Sequence, residues 1–144
     1  MFENILVVCI GNICRSPMAE ALLKESLKHK DKHIISSAGL GALVGHNPDE
    51  TAIELMQEKG IDISNYQATQ INQLLIKKAD LILVMESKHK EVIENKDPSS
   101  KGKVFRLGEW GKFDIADPYK KERKVFEESL NLIETGVLEW AKKI

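Results

Sequence analysis

Ile5-Leu6-Val7-Val8 is a continuous apolar run, mostly β-branched, with no polar position on either face. A run this short reads as a strand, and a strand apolar at every position is buried on both faces. Leu81-Ile82-Leu83-Val84 has the same character. His33 to Ser37, closed by Ala38-Gly39, and Val104-Phe105-Arg106-Leu107 supply two more strands. Helical patterns fill the intervals. After Ser16-Pro17, the residues Met18, Leu22 and Ser26, with Ala19, Leu23 and Leu27, form a stripe at helical spacing. Ser16 suits the cap of that helix, and Pro17 suits its first turn, where a missing N–H loses no bond. Pro48 to Lys59, stopped by Gly60, Asn72 to Ala79 and Glu86 to Asn95 read as further helices. A last helix runs from about Lys121, with Phe126, Leu130, Ile133, Val137 and Trp140 stepping by four and three along one face. Strands alternating with helices predict an α/β fold, an open parallel four-stranded sheet with helices on both faces. In such sheets the binding crevice lies beyond the C-terminal ends of the strands. Cys9 falls there, directly after the first strand.

Nothing along the chain divides it, so residues 1–144 are expected to form a single domain. The net charge of −1 provides no broad basic field, which argues against nucleic acid or an anionic membrane as partner. Any anion must be held by local positive charge. The two cysteines, Cys9 and Cys14, would close too short a loop to staple a domain of this size. They read instead as reactive or redox thiols of a reducing compartment. Met1-Phe2-Glu3-Asn4 lacks the basic start of a secretory signal, and the first apolar run is too short to cross a bilayer. A cytoplasmic location is therefore expected, with no membrane insertion.

Cys9-Ile10-Gly11-Asn12-Ile13-Cys14-Arg15-Ser16 joins a buried strand to a helix N-terminus. Backbone N–H groups in such a loop can converge on one centre and make an anion nest. Gly11 permits close approach, and Arg15 offers a planar fork of donors suited to two oxygens of a phosphate. Such a field also stabilises a nearby sulfur anion, with Ser16 close enough in sequence to hydrogen-bond it. The site predicted is an activated sulfur beneath a tetrahedral dianion.

Val8-Cys9-Ile10-Gly11-Asn12-Ile13-Cys14-Arg15-Ser16-Pro17-Met18-Ala19-Glu20 closely resembles the opening of the low-molecular-weight protein tyrosine phosphatases. Asp117-Pro118-Tyr119 resembles that family's general-acid loop, and Ser37-Ala38-Gly39, Asp80 to Met85 and the last helix also have counterparts. Ser37 to Gly45 looks most like the bacterial Wzb-type members, which act on tyrosine kinases that govern polysaccharide export. The resemblance implies a flavodoxin-like sheet of strand order 2-1-3-4. It implies Cys9, Arg15 and Asp117 as catalytic residues, and Ile10, Gly11, Asn12, Ile13, Cys14 and Ser16 as the phosphate loop. Asn12 would fix the loop through its side chain; as a turn residue it would also suit a left-handed backbone. Ser16 and Ser37 would be supporting donors. Leu40, Tyr119 and Trp110 resemble the walls of the family's aromatic slot, which would admit phosphotyrosine in preference to the shorter phosphoserine. The implied partners are a phosphotyrosine protein, a tyrosine autokinase among such proteins, and inorganic phosphate as product. No cofactor and no metal are implied, and His29, His33, His46 and His89 are scattered along the chain.

A phosphate ester needs its leaving oxygen protonated, usually by a carboxylic acid beside it. By sequence alone Asp117 competes with Asp114, Asp97 and Asp62; the resemblance selects Asp117, with Asp114 next. The pair of a cysteine nucleophile and an acid predicts activity that peaks at mildly acidic pH. Where relatives carry a histidine that supports the loop asparagine, this chain has Tyr66, whose hydroxyl could replace it or leave the support lost. Cys14 is either a redox partner of Cys9 or an inert small residue. Among rival activities, an arsenate reductase would need further cysteines, and none follows Cys14. A phosphoarginine phosphatase of the same family would tend to carry threonine where Ile13 stands. A cysteine phosphocarrier remains the alternative outside hydrolysis.

Overall fold

The computed structural model describes residues 2–30 and 32–144. Four strands form one parallel sheet: β1 (Asn4–Cys9), β2 (Ile34–Gly39), β3 (Leu81–Val84) and β4 (Val104–Arg106). Their spatial order is β2-β1-β3-β4, the order that the family resemblance implies. Ile5 lies opposite Ile35 on one side and Leu81 on the other, so β1 is central.

The central strand explains its own composition. Successive side chains alternate between the two faces. Ile5, Val7 and Cys9 enter one core, with Leu81 and Leu83, and Leu6 and Val8 enter a second, with Ile82 and Val84. Three helices cover the first face: α1 (Arg15–Leu27), α2 (Glu50–Glu58) and α5 (Arg123–Ala141). Phe126, Leu130, Ile133, Val137 and Trp140 are the buried stripe of α5. The second face is covered by α3 (Gln73–Lys78) and α4 (Ser87–Lys96), through Ile76 and Ile93.

Helix ends differ from the sequence reading by a few residues, for local reasons. Asp49 caps α2 through the Thr51 amide, and Asn72 caps α3 through the Leu75 amide, so both helices begin just after the first residue expected. Ser16 is a genuine correction. It lies inside α1, whose cap position is Cys14 without a side-chain bond, and its hydroxyl serves the loop instead. From β1 the chain passes to β2 on one side and then crosses to β3 on the other. The crevice at that switch lies beyond the ends of β1 and β3. Cys9 ends β1, and Glu86 follows β3 after Met85.

Candidate active site

The loop from Cys9 to Arg15 is held from behind by its carbonyls. Those of Cys9, Ile10, Gly11 and Ile13 accept from the amides of Leu40, Gly41, Leu43 and Asp49, at 2.8–3.1 Å. In a planar trans peptide the C=O and the following N–H point opposite ways. With these carbonyls drawn outward, the amides of Ile10, Gly11, Asn12 and Cys14 turn toward the loop's own centre. Asn12 N–H donates to Cys9 Sγ at 3.3 Å. The loop can come this close to the end of β2 because residue 39 is glycine. A Cβ there would stand 2.4 Å from the Ile10 carbonyl oxygen.

Asn12 has φ of +60°, the left-handed backbone that asparagine tolerates, and it also ties the loop through its side chain. The Thr69 amide can only donate, and it donates to Asn12 Oδ1 at 2.9 Å. That fixes the orientation of the Asn12 amide. Its Nδ2 then donates to Ser16 Oγ at 2.7 Å and to Ser37 Oγ at 3.0 Å. The Ser37 hydroxyl in turn donates to Glu20 Oε1 at 2.6 Å. Ser16 Oγ, already accepting from Asn12, has its own hydrogen free for Cys9 Sγ, 2.9 Å away. Cys9 therefore receives two hydrogen bonds suited to a sulfur anion. Tyr66 does not replace a histidine at Asn12. It lies with Lys24 over its ring, 5.2 Å from the centroid, and the asparagine's support comes from the Thr69 main chain.

Arg15 is 1% exposed. Its Nη1 donates to Glu86 Oε2 at 2.6 Å and to the Ile115 carbonyl at 2.7 Å. Nε and Nη2 are buried without a hydrogen-bond partner, and Nη2 lies 3.5 Å from Asp117 Oδ2. One edge of the guanidinium is thus anchored and the other is open to an anion. Burial works to raise the Glu86 carboxyl, but Arg15, with His89 and Lys88, outweighs it and holds the group below the ordinary carboxylate range. The sequence reading does not single out Glu86; its place two residues beyond the end of β3, in the crevice, is the available signal.

A cleft of about 160 Å³ joins these groups. It is lined by Cys9, Ile10, Gly11, Ile13, Cys14, Arg15, Gly41, Leu43, Asp117 and Tyr119. Asp117 stands at its side, its Oδ1 accepting from the Tyr119 amide at 3.0 Å in a tight turn. Asp114 is engaged elsewhere, accepting from the Ser87 amide and pairing with Arg106 at 3.2 Å. Of the expected slot residues only Tyr119 lines the cleft. Leu40 packs against the second core, and Gly41 and Leu43 take the wall position. Trp110 is packed on Trp140, with ring centroids 5.2 Å apart and Lys143 over its face. Cys14 is 3% exposed, and burial pushes its thiol up, with Asp49, Cys9 and Asp117 adding to the effect against Arg15. It is a thiol, not a thiolate, at neutral pH.

A thiol group at the base of an amide-lined loop, an arginine with one open edge and a carboxyl at the rim can transfer a phosphoryl group to sulfur and protonate a leaving oxygen. Comparison with known proteins agrees with that chemistry. The "Probable low molecular weight protein-tyrosine-phosphatase EpsP" of Ralstonia nicotianae is 51% identical over 100% of this chain and 97% of its own. The crystal structure of the tyrosine phosphatase AmsI of Erwinia amylovora, 43% identical, superposes with a TM-score of 0.94 over 100% of this chain and 94% of that one. Vibrio vulnificus Wzb in complex with benzylphosphonate, 39% identical, gives a TM-score of 0.94 over 100% of both chains. The low molecular weight phosphotyrosine protein phosphatase profile matches residues 4–144, and the chain belongs to that family.

Proposed function

We propose that this chain, a low-molecular-weight protein tyrosine phosphatase, removes phosphate from protein phosphotyrosine through a phosphocysteine on Cys9. Cys9 Sγ attacks phosphorus in line, while Arg15 and the amides of the loop hold the non-bridging oxygens. The bond from phosphorus to the phenol oxygen breaks with its electron pair on that oxygen, and Asp117 gives it a proton. Asp117, now a carboxylate, takes a proton from water as the water attacks the phosphocysteine. Sulfur leaves as thiolate, and inorganic phosphate is released. Ile10, Gly11, Asn12, Ile13, Cys14 and Ser16 form the phosphate loop, and Tyr119 walls the slot above it.

The observation that carries the reading is the convergence of Cys9, Arg15 and Asp117 on one cleft, at a loop whose Cys9, Ile10, Gly11 and Ile13 carbonyls are bonded away from it. Ile13, buried at the cleft, adds apolar surface that favours an aromatic phosphoester over phosphoarginine. The likeness to Wzb-type relatives supports a tyrosine autokinase controlling polysaccharide export as the physiological substrate, with the enzyme in the cytoplasm. Among the described residues no helix is long and apolar enough to cross a membrane.

Turnover on phosphotyrosine, phosphoarginine and phosphoserine peptides, measured side by side, tests the reading. Multiple turnovers with phosphotyrosine preferred are expected. Preference for phosphoarginine would reassign the substrate, and a single stoichiometric transfer would make the protein a phosphocarrier.

A further inference from the structure

His89 takes no part in the chemistry above, yet it is a buried titratable side chain beside the group that anchors Arg15. It lies on α4 and is 2% exposed, and neither ring nitrogen has a hydrogen-bond partner. Its Nε2 stands 3.4 Å from Glu86 Oε2, the same oxygen that accepts from Arg15 Nη1 at 2.6 Å. Glu86 occupies the cap position of α4 without capping it; Asp114 takes the Ser87 amide instead. The Glu86 side chain is therefore free to turn to Arg15, but it is 18% exposed and Lys88 draws its other oxygen from 3.5 Å. A flexible carboxylate between two cations needs a wall to keep one geometry.

We infer that His89 is a positioning residue for Arg15: its imidazole backs the Glu86 carboxylate and keeps Oε2 on the guanidinium. The inference rests on the phosphatase reading for its consequence, not for its geometry. With a small turn of its ring, a neutral imidazole can direct its one N–H at Oε2, 3.4 Å away, and leave the charge of the carboxylate to Arg15. A protonated one is a second cation on the same oxygen and competes with the arginine. The charged groups facing the ring are Arg15 from α1, Glu86 and Lys88 beside it, and Asp114 from the loop after β4. Burial first, then Arg15 and Lys88, push the imidazole below its ordinary value, against Glu86 and Asp114, which favours the neutral form.

The test compares His89→Leu, which fills the space without a donor, with His89→Gln, whose amide offers an N–H near the Nε2 position. Kinetics on an aryl phosphate should show His89→Leu losing about tenfold to a hundredfold in kcat with little change in KM, the mark of a misaligned group that acts in the transition state. His89→Gln should recover most of that loss. At the acid end of the profile it should exceed the wild type, because its side chain takes no proton. Full activity in His89→Leu, or equal losses in both variants, would overturn the inference. Should His89→Leu not fold, the wild type supplies the test: the Arg15 side-chain 15Nε resonance should titrate together with the His89 ring. An Arg15 signal that ignores that titration overturns the assignment. This readout needs no turnover, so it separates failure of this inference from failure of the phosphatase reading.

Discussion

Asn12 sets the donor and acceptor sense of the two hydroxyls behind Cys9. One main-chain amide, that of Thr69, fixes which way its side chain faces, and the hydroxyls of Ser16 and Ser37 follow. At the rim, position favours Asp117 over Asp114 as the proposed acid. Asp117 lines the cleft, whereas Asp114 is spent on the Ser87 amide and on Arg106. Asp117→Ala should slow hydrolysis of phenyl phosphate by about a hundredfold or more, the usual worth of a positioned acid. An ester with a strongly acidic leaving group should suffer far less, since its oxygen departs without a proton. Equal losses on the two esters would point away from Asp117 as the proton donor.

The elements matter through where they end. Strand β2 stops at a glycine because the Ile10 carbonyl occupies the space a side chain would need. Gly39→Ala should cost about 1–3 kcal/mol in stability by overpacking. It should also push the loop out of register and weaken inhibition by phosphate or vanadate, both measured on the same preparation. A variant that binds either anion as the wild type does would show that the β2 end does not shape the loop. The strands and most helices were legible because their signals are local: continuous apolar runs for β1 and β3, a stripe of apolar residues for α5. The start of α1 was not. Ser-Pro before an apolar stripe reads as a cap, but Ser16 is drawn inside the helix by its bonds to Cys9 and Asn12. The slot was the least legible part. Trp110 finds its partner in Trp140, some thirty residues away in the chain, and Leu40 turns to the second core. Such choices depend on tertiary packing. The anchors of Arg15 were hidden for the same reason, since one is the main-chain carbonyl of Ile115.

At the scale of the whole molecule, the anchor behind Arg15 links the site to acid stability. Glu86 and His89 both have folded-state values below their ordinary ones. For each, the unfolded chain binds more protons as pH falls, so acid favours unfolding. The contribution tied to His89 is complete above its unfolded value near ~6.5 and declines as pH falls through that value toward the lowered folded one. The contribution tied to Glu86 is present above its unfolded carboxylate value and is lost as pH falls through its lower folded value. Urea midpoints measured from neutral to acidic pH should therefore fall in two stages, and Glu86→Gln should shrink the later one, which Asp62, Asp80 and Asp97, also held below their ordinary values, share. A midpoint that stays level or rises on acidification would refute this coupling.

Sulfur at Cys9 is proposed to carry the phosphoryl group between two half-reactions. Rapid quenching of the enzyme during turnover of an aryl phosphate, followed by mass spectrometry of its peptides, tests it directly. One phosphoryl group is expected on the peptide holding Cys9, labile in the manner of a thiophosphate ester, and none in Cys9→Ser, which should also lack turnover. Phosphate found on another residue, or steady turnover by Cys9→Ser, would contradict it.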